Sequence, residues 1–138
     1  MTASSTAPAP RPCGSCPYRK DVPSGVWQPV EYAKLPGYDL PTPQQPPGLF
    51  LCHQQDGRVC AGWAGCHDGA HLLALRMAAV TGALSDADLN ATIDYTTPVP
   101  LFASGAEAAE HGMRDVLDPG PKARRAIDNL TRKRSGPE

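Results

Sequence analysis

Apolar bulk is what this chain has least of. Its 138 residues include twelve Leu, seven Val, two Ile and two Phe. Together they make about 17% of the chain, under the roughly 20% below which closing a core becomes difficult. The net charge is only −1, which removes the self-repulsion that usually keeps such a chain unfolded. No apolar run approaches the ~18 residues that span a bilayer, so no membrane partner is expected. Residues 1–12, rich in Ala, Pro and Ser, lack the apolar segment of a secretory signal. A cytoplasmic location follows as an expectation, and disulfides are rare there.

Turn formers are abundant instead. Sixteen prolines and thirteen glycines predict short elements joined by many turns, within one domain. A core this thin gains most from a staple, and a structural zinc supplies roughly 10–16 kcal/mol of apparent binding energy at neutral pH.

Five cysteines offer that staple. Cys13 and Cys16 form a Cys-x-x-Cys pair followed by Pro17; after 35 intervening residues come Cys52, Cys60 and Cys66. Such a pair sets two thiolates on one tight turn, and a second thiol cluster downstream completes a closed four-ligand site. The odd count leaves one thiol spare. The predicted ligands are Cys13, Cys16, Cys52 and Cys60. Cys66, His53, His67 and His71 are the candidate substitutes, the last two facing one way if a helical turn joins them. His111 is expected at the surface. Two readings compete with metal binding: a redox dithiol at Cys13/Cys16, and cysteines serving as small apolar core residues.

The expected fold is α+β: a small metal-stapled domain with the Cys-x-x-Cys turn, a β-hairpin, several short helices and flexible termini. Residues 1–12 read as a disordered leader and 13–84 as the cysteine-rich metal-binding domain. Residues 85–121 supply short helices and Pro-rich linkers, and 122–138 a basic helix and tail. Ser24 is the candidate cap of a short helix through Leu35. Leu49–His53 and Arg58–Ala61 read as strands joined at Asp56-Gly57. That turn sets residue 53 opposite 60 and 52 opposite 61, making Cys52 and Cys60 cross-strand neighbours. The apolar spacing predicts a helix over 71–84, with Leu72, Leu75 and Ala79 in one line and Leu73, Met77 and Val80 beside it. Ser85 opens another short helix. Ser104 and Glu107 form a capping box for a helix to about Leu117.

Zinc and a [4Fe-4S] cluster both fit four thiolates, each leaving a charge near −2 that Arg19, Lys20 and Arg58 offset in part. Zinc is the first choice. The Cys16-Pro17 step and the long Cys52–Cys60 spacing favour the cluster. Gly25-Val26-Trp27 resembles a tripeptide of the WhiB-type iron–sulfur regulators, whose cysteines fall in a different order around it.

The segments Cys13-Gly-Ser-Cys16-Pro-Tyr-Arg19, Ser24-Gly-Val-Trp27, Phe50-Leu-Cys52-His53-Gln54 and Cys60-Ala-Gly-Trp63 together resemble a family of small cysteine-rich proteins of actinobacteria, other bacteria and phages. That family is described only as a domain of unknown function. The resemblance covers about residues 11–80. It implies that Cys13, Cys16, Cys52 and Cys60 occupy family positions, with His53 and Trp63 beside them, and it implies no activity.

Residues 122–138 hold Lys122, Arg124, Arg125, Arg132, Lys133 and Arg134 against two acids. These cations suit weak, sequence-blind phosphate contacts, or simply a solvated helix end. The function expected from sequence is a non-enzymatic structural zinc module that binds a protein or nucleic-acid partner. The alternative is an iron–sulfur or thiol redox sensor using the same cysteines. A hydrolytic metalloenzyme needs an open coordination position and a general base, and nothing marks Asp56 or Asp68 for that role.

Overall fold

Pro8, Pro10, Pro12, Pro17 and Pro23 deny the first quarter of the chain a continuous helix, and it runs as turns and bends instead. The computed structural model describes residues 4–52 and 57–134. Among the described residues, six α-helices follow the irregular start: α1 (Pro29–Ala33), α2 (Ala61–Cys66), α3 (Leu73–Thr81), α4 (Asp86–Ile93), α5 (Gly105–Met113) and α6 (Pro121–Arg134). Tighter 3-10 turns occupy Leu35–Asp39, Thr42–Gln44 and Gly69–His71. No described helix is long and apolar enough to cross a membrane.

The expected α+β fold with a hairpin is not the one formed. Among the described residues, extended pairing is limited to isolated bridges: Thr6 with Arg58, Arg19 with Leu101, and Leu51 with Val59. Two backbone bonds flank the last bridge, Cys52 N–H to Arg58 O and Cys60 N–H to Phe50 O, both 2.8 Å. The chain cannot extend the ladder beyond Cys60, because Ala61 begins α2 with Cys60 as its N-cap residue. Val59 N–H turns the other way and donates to Thr6 O at 3.0 Å. Asp56, half of the expected turn, lies outside the described residues; Gly57 follows with φ +80°, a conformation that favours glycine.

The register differs as well. Cys52 stands opposite Arg58 and Cys60 opposite Phe50, three residues from the expected pairing. An odd shift exchanges faces, so Cys52 and Cys60 lie diagonally on one face rather than on two.

The leader is tied down where it is described. Ser5 N–H donates to Ala83 O at 3.0 Å and Thr6 N–H to Gly57 O at 2.8 Å, while Pro10 O accepts from the Tyr95 hydroxyl. These bonds bring residues 4–12 alongside the cysteines instead of leaving them free.

Aromatics make up for the scarce aliphatics. Tyr18 and Trp63 are fully buried, with Tyr32, Tyr38, Trp27 and Phe50 nearly so. Tyr18–Phe50 and Tyr38–Phe50 meet edge-to-face at 5.9 Å, and Tyr38–Trp63 at 5.4 Å. Each such pair adds roughly 0.5–1.5 kcal/mol beyond its buried area.

The helices depart from expectation mainly at their ends. Ser24 does not cap α1; its hydroxyl donates to Gly112 O and accepts from Asp115 N–H, and α1 begins at Pro29. α3 stops at Gly82, in the left-handed conformation. Its buried face is Ala74, Leu75 and Ala78, leaving Ala79 exposed and Val80 81% exposed. Ser85 and Ser104 do cap α4 and α5, each accepting from the third helical residue at 3.1 Å. α5 ends at Met113 rather than near Leu117.

Candidate metal centre

A tight turn brings the first pair of thiols together: Cys16 N–H donates to Cys13 O at 3.0 Å, and Arg19 N–H to Cys16 O at 3.1 Å. The Cys16 sulfur points inward onto α2. It lies 3.8 Å from the Cys60 sulfur, and both residues are buried. Cys13 interacts with both Cys16 and Cys52, and its sulfur lies 3.8 Å from the Ser15 hydroxyl. The four thiols therefore form a chain in the order Cys52, Cys13, Cys16, Cys60, with all five cysteines of the protein unbridged.

Space around the chain is closely set. A small, partly enclosed cavity of about 10 Å³ touches Cys13, Cys52 and Cys60, with Arg11 and Arg58 on its wall. That is room for about one water-sized occupant. On the far side of the Cys16 sulfur stands Gly62, where a β-carbon would collide with that sulfur and come within 2.8 Å of Tyr18 Cβ. Cys60, Ala61, Gly62 and Trp63 thus serve as one unit: a thiol, a helix start, a bare backbone for the second thiol, and a buried anchor.

Cys13 and Cys16 hold their protons. Cys13 is raised above its ordinary value first by Cys16 and then by burial, with Cys52 opposing them. For Cys16 the bond from Cys13 favours the thiolate, but the bond to Cys60 and burial outweigh it and push the group well up. Among the described residues, no three Cys, His, Asp or Glu side chains stand in a finished metal-binding geometry. The arrangement is a string of neighbouring thiols, which side-chain rotation at Cys13 and Cys52 would have to gather around an ion.

The proposed substitutes fall elsewhere. Cys66, His67 and His71 line a separate open cleft of about 610 Å³ with Asp39, Asp68 and Ser104. His67 is 9% exposed, its Nδ1 3.8 Å from an Asp39 carboxylate oxygen and its Nε2 3.5 Å from the Tyr18 hydroxyl. Burial lowers its pKa, partly opposed by Asp39. His71 is exposed beside Asp68, at 3.6 Å. The shared helical turn expected for His67 and His71 is absent, because α2 ends at Cys66 and His67 is extended. Burial, Asp39, Cys16 and Glu107 push the Cys66 thiol up to about 12. His53 lies outside the described residues. His111 is half-buried, with Nε2 2.7 Å from Val22 O.

Sequence reasoning missed Gly62, Asp39 and Arg11. Gly62 carried a signal in standing two residues after Cys60; the other two carried none. Asp39 binds Gly105 N–H and Ala106 N–H, both at 2.8 Å, from 66 and 67 residues away. Of the basic residues, Lys122, Arg124, Arg125 and Arg132 are exposed on α6. Lys133 and Arg134 fall in its last turn, and their side chains lie outside the described residues.

The chain belongs to the family of unknown function DUF6283, whose family model matches residues 8–134. The match runs well past residue 80, where the resemblance read from motifs was expected to stop. No curated protein and no solved structure matches the chain.

Proposed function

We propose that this member of the DUF6283 family is a metal-stapled module in which Cys13, Cys16, Cys52 and Cys60 bind one zinc ion. The observation that carries the reading is the 3.8 Å separation of the Cys16 and Cys60 sulfurs. A tetrahedron with Zn–S bonds of about 2.3 Å has sulfur–sulfur edges of about 3.8 Å. Cys13 and Cys52 continue the same string, Cys13 interacting with both Cys16 and Cys52. A cavity with room for one small occupant fits a single ion better than a cubane, whose four irons and four sulfides would hold the cysteine sulfurs much farther apart.

Zinc in such a site is a cross-link. It would tie the Cys13–Cys16 turn to the Leu51–Val59 bridge and to the start of α2, three pieces with little regular structure of their own. Binding would displace thiol protons, so affinity would rise with pH. Arg11 and Arg58 would offset part of the charge of four thiolates around one Zn²⁺.

Metal analysis with a visible spectrum, on protein purified without air, tests the reading. The expected result is one zinc per chain, no colour, and loss of both metal and fold in Cys13→Ser. A brown protein containing iron would replace zinc with the cluster; a folded, metal-free Cys13→Ser protein would overturn the staple altogether.

A further inference from the structure

The cations of α6 are sorted by what they touch. Arg124 is engaged, its Nη2 2.9 Å from Asp118 and its Nε 2.7 Å from Pro119 O. Lys122, Arg125, Asn129 and Arg132 are all exposed and follow i, i+3, i+7, i+10, so they form one stripe. At 1.5 Å per residue the stripe runs about 15 Å. Among the described residues, Lys122, Arg125 and Arg132 have no ion-pair partner. The opposite face, with Ala123 and Leu130 buried, packs into the core.

Helix stability accounts for Arg132, in the last turn, but not for Lys122 and Arg125. Cations favour a helix from its last turn, where the macrodipole is negative. Lys122 and Arg125 sit at the amino end, with no acid in the first turn. We infer that the Lys122–Arg125–Arg132 face docks on the phosphate backbone of duplex nucleic acid, without reading sequence. A membrane surface is a poorer fit, because on the apolar side of α6 Ala123 and Leu130 are buried and Ala126 and Ile127 partly so, leaving little to insert. A protein partner would call for an aromatic or apolar anchor, and single strands for rings on which bases stack; the stripe has neither. The inference is independent of the metal reading, since it rests on α6 alone.

Fluorescence anisotropy with the full chain and a labelled mixed-sequence duplex of about 20 base pairs tests it. Expected is a Kd of about 10–100 µM at low salt, with a log–log salt slope of about −2 to −3 for three phosphates neutralised. Reversing Lys122, Arg125 and Arg132 to Glu should weaken binding at least about tenfold, whereas Arg124→Gln should change it less than about twofold. Should the reversed triple fail to fold by circular dichroism, Lys122→Gln, Arg125→Gln and Arg132→Gln together carry the same expectation of loss. Absent binding, undiminished binding by the folded triple, or tighter binding to single strands, anionic vesicles or an acidic peptide would overturn the inference.

Discussion

Gly62 stands directly against the sulfur of Cys16, so that α2 and the Cys-x-x-Cys turn touch without an intervening side chain. A β-carbon there meets the thiol on one side and Tyr18 on the other, and Tyr18 is fully buried. Neither neighbour has room to retreat. Gly62→Ala is therefore expected to lower stability by about 1–3 kcal/mol, the usual cost of overpacking, despite alanine's better helix propensity. It should also weaken metal uptake by pushing Cys16 away from Cys60. Urea unfolding and a zinc titration measure the two effects; an unaltered protein would mean that the contact is loose.

Cys66 should behave as the odd thiol out. With its pKa at about 12, its thiolate fraction at pH 8 is on the order of one part in ten thousand, against about a quarter for a free cysteine of pKa 8.5. Alkylation of the folded protein by iodoacetamide, read by peptide mass, should leave Cys66 nearly untouched until denaturant is added. Cys66→Ser should retain full metal content. Rapid alkylation in the fold would restore Cys66 as the reactive residue of a thiol sensor.

The legible parts of this chain were those with local causes. Ser85 and Ser104 capped their helices as their spacing requires, because a hydroxyl and an N–H three residues on find each other without help from the rest of the fold. The Cys13–Cys16 turn is of the same kind. The bridge at Leu51–Val59 was half legible: the two segments do meet, but Thr6 competes for Val59 and α2 takes over at Ala61. Those are tertiary effects, and they converted an expected hairpin into a single bridge with shifted register. α3 misled because Leu73, Met77 and Val80 are apolar, while the small Ala74 and Ala78 are what its close packing admits. The buried aromatic network offered no periodic signal, since its members are scattered over loops (Tyr18, Trp27, Phe50) and three separate short helical segments (Tyr32, Tyr38, Trp63).

Acid should loosen the fold in a window set by His67. Its folded pKa is lowered by burial from an unfolded value near 6.5. Above that value both states are neutral and stability is complete. As pH falls below about 6.5 the unfolded chain takes up a proton that the folded one refuses, so stability drops by up to about 1.4 kcal/mol per pH unit. The loss is finished once pH passes below the folded pKa. Asp21, lowered by its Arg19 partner, acts only near pH 4 and below, so the windows separate. Thermal melts from pH 7.5 to 5 should show Tm falling below about pH 6.5, and His67→Gln should flatten the fall. An unchanged slope in the variant would place the sensitivity in another group.

Asp39 should matter more to α5 than the residue that caps it locally. The Ser104 hydroxyl accepts one bond, from Glu107 N–H at 3.1 Å. The two Asp39 carboxylate oxygens accept from Gly105 N–H and Ala106 N–H, each at 2.8 Å, and such charge-assisted bonds are about twice as strong as neutral ones. Its contact with α5 also fixes the 3-10 turn Leu35–Asp39, whose backbone comes so close to Gly105 that a β-carbon there would strike Leu35 O. Ser104→Ala is expected to cost about 1 kcal/mol, as caps usually do. Asp39→Ala should cost about 2–3 kcal/mol, since it removes two charge-assisted bonds at once and leaves the buried Gly105 N–H without its acceptor. Asp39→Asn, which keeps an acceptor for only one of them, should fall between the two. It should also lower the pKa of His67 further, because Asp39 is the group that raises it. Urea unfolding of the three variants, with the His67 titration followed by NMR, checks both the order of the costs and the direction of the shift. A larger loss for Ser104→Ala than for Asp39→Ala would show that α5 is held from within its own sequence.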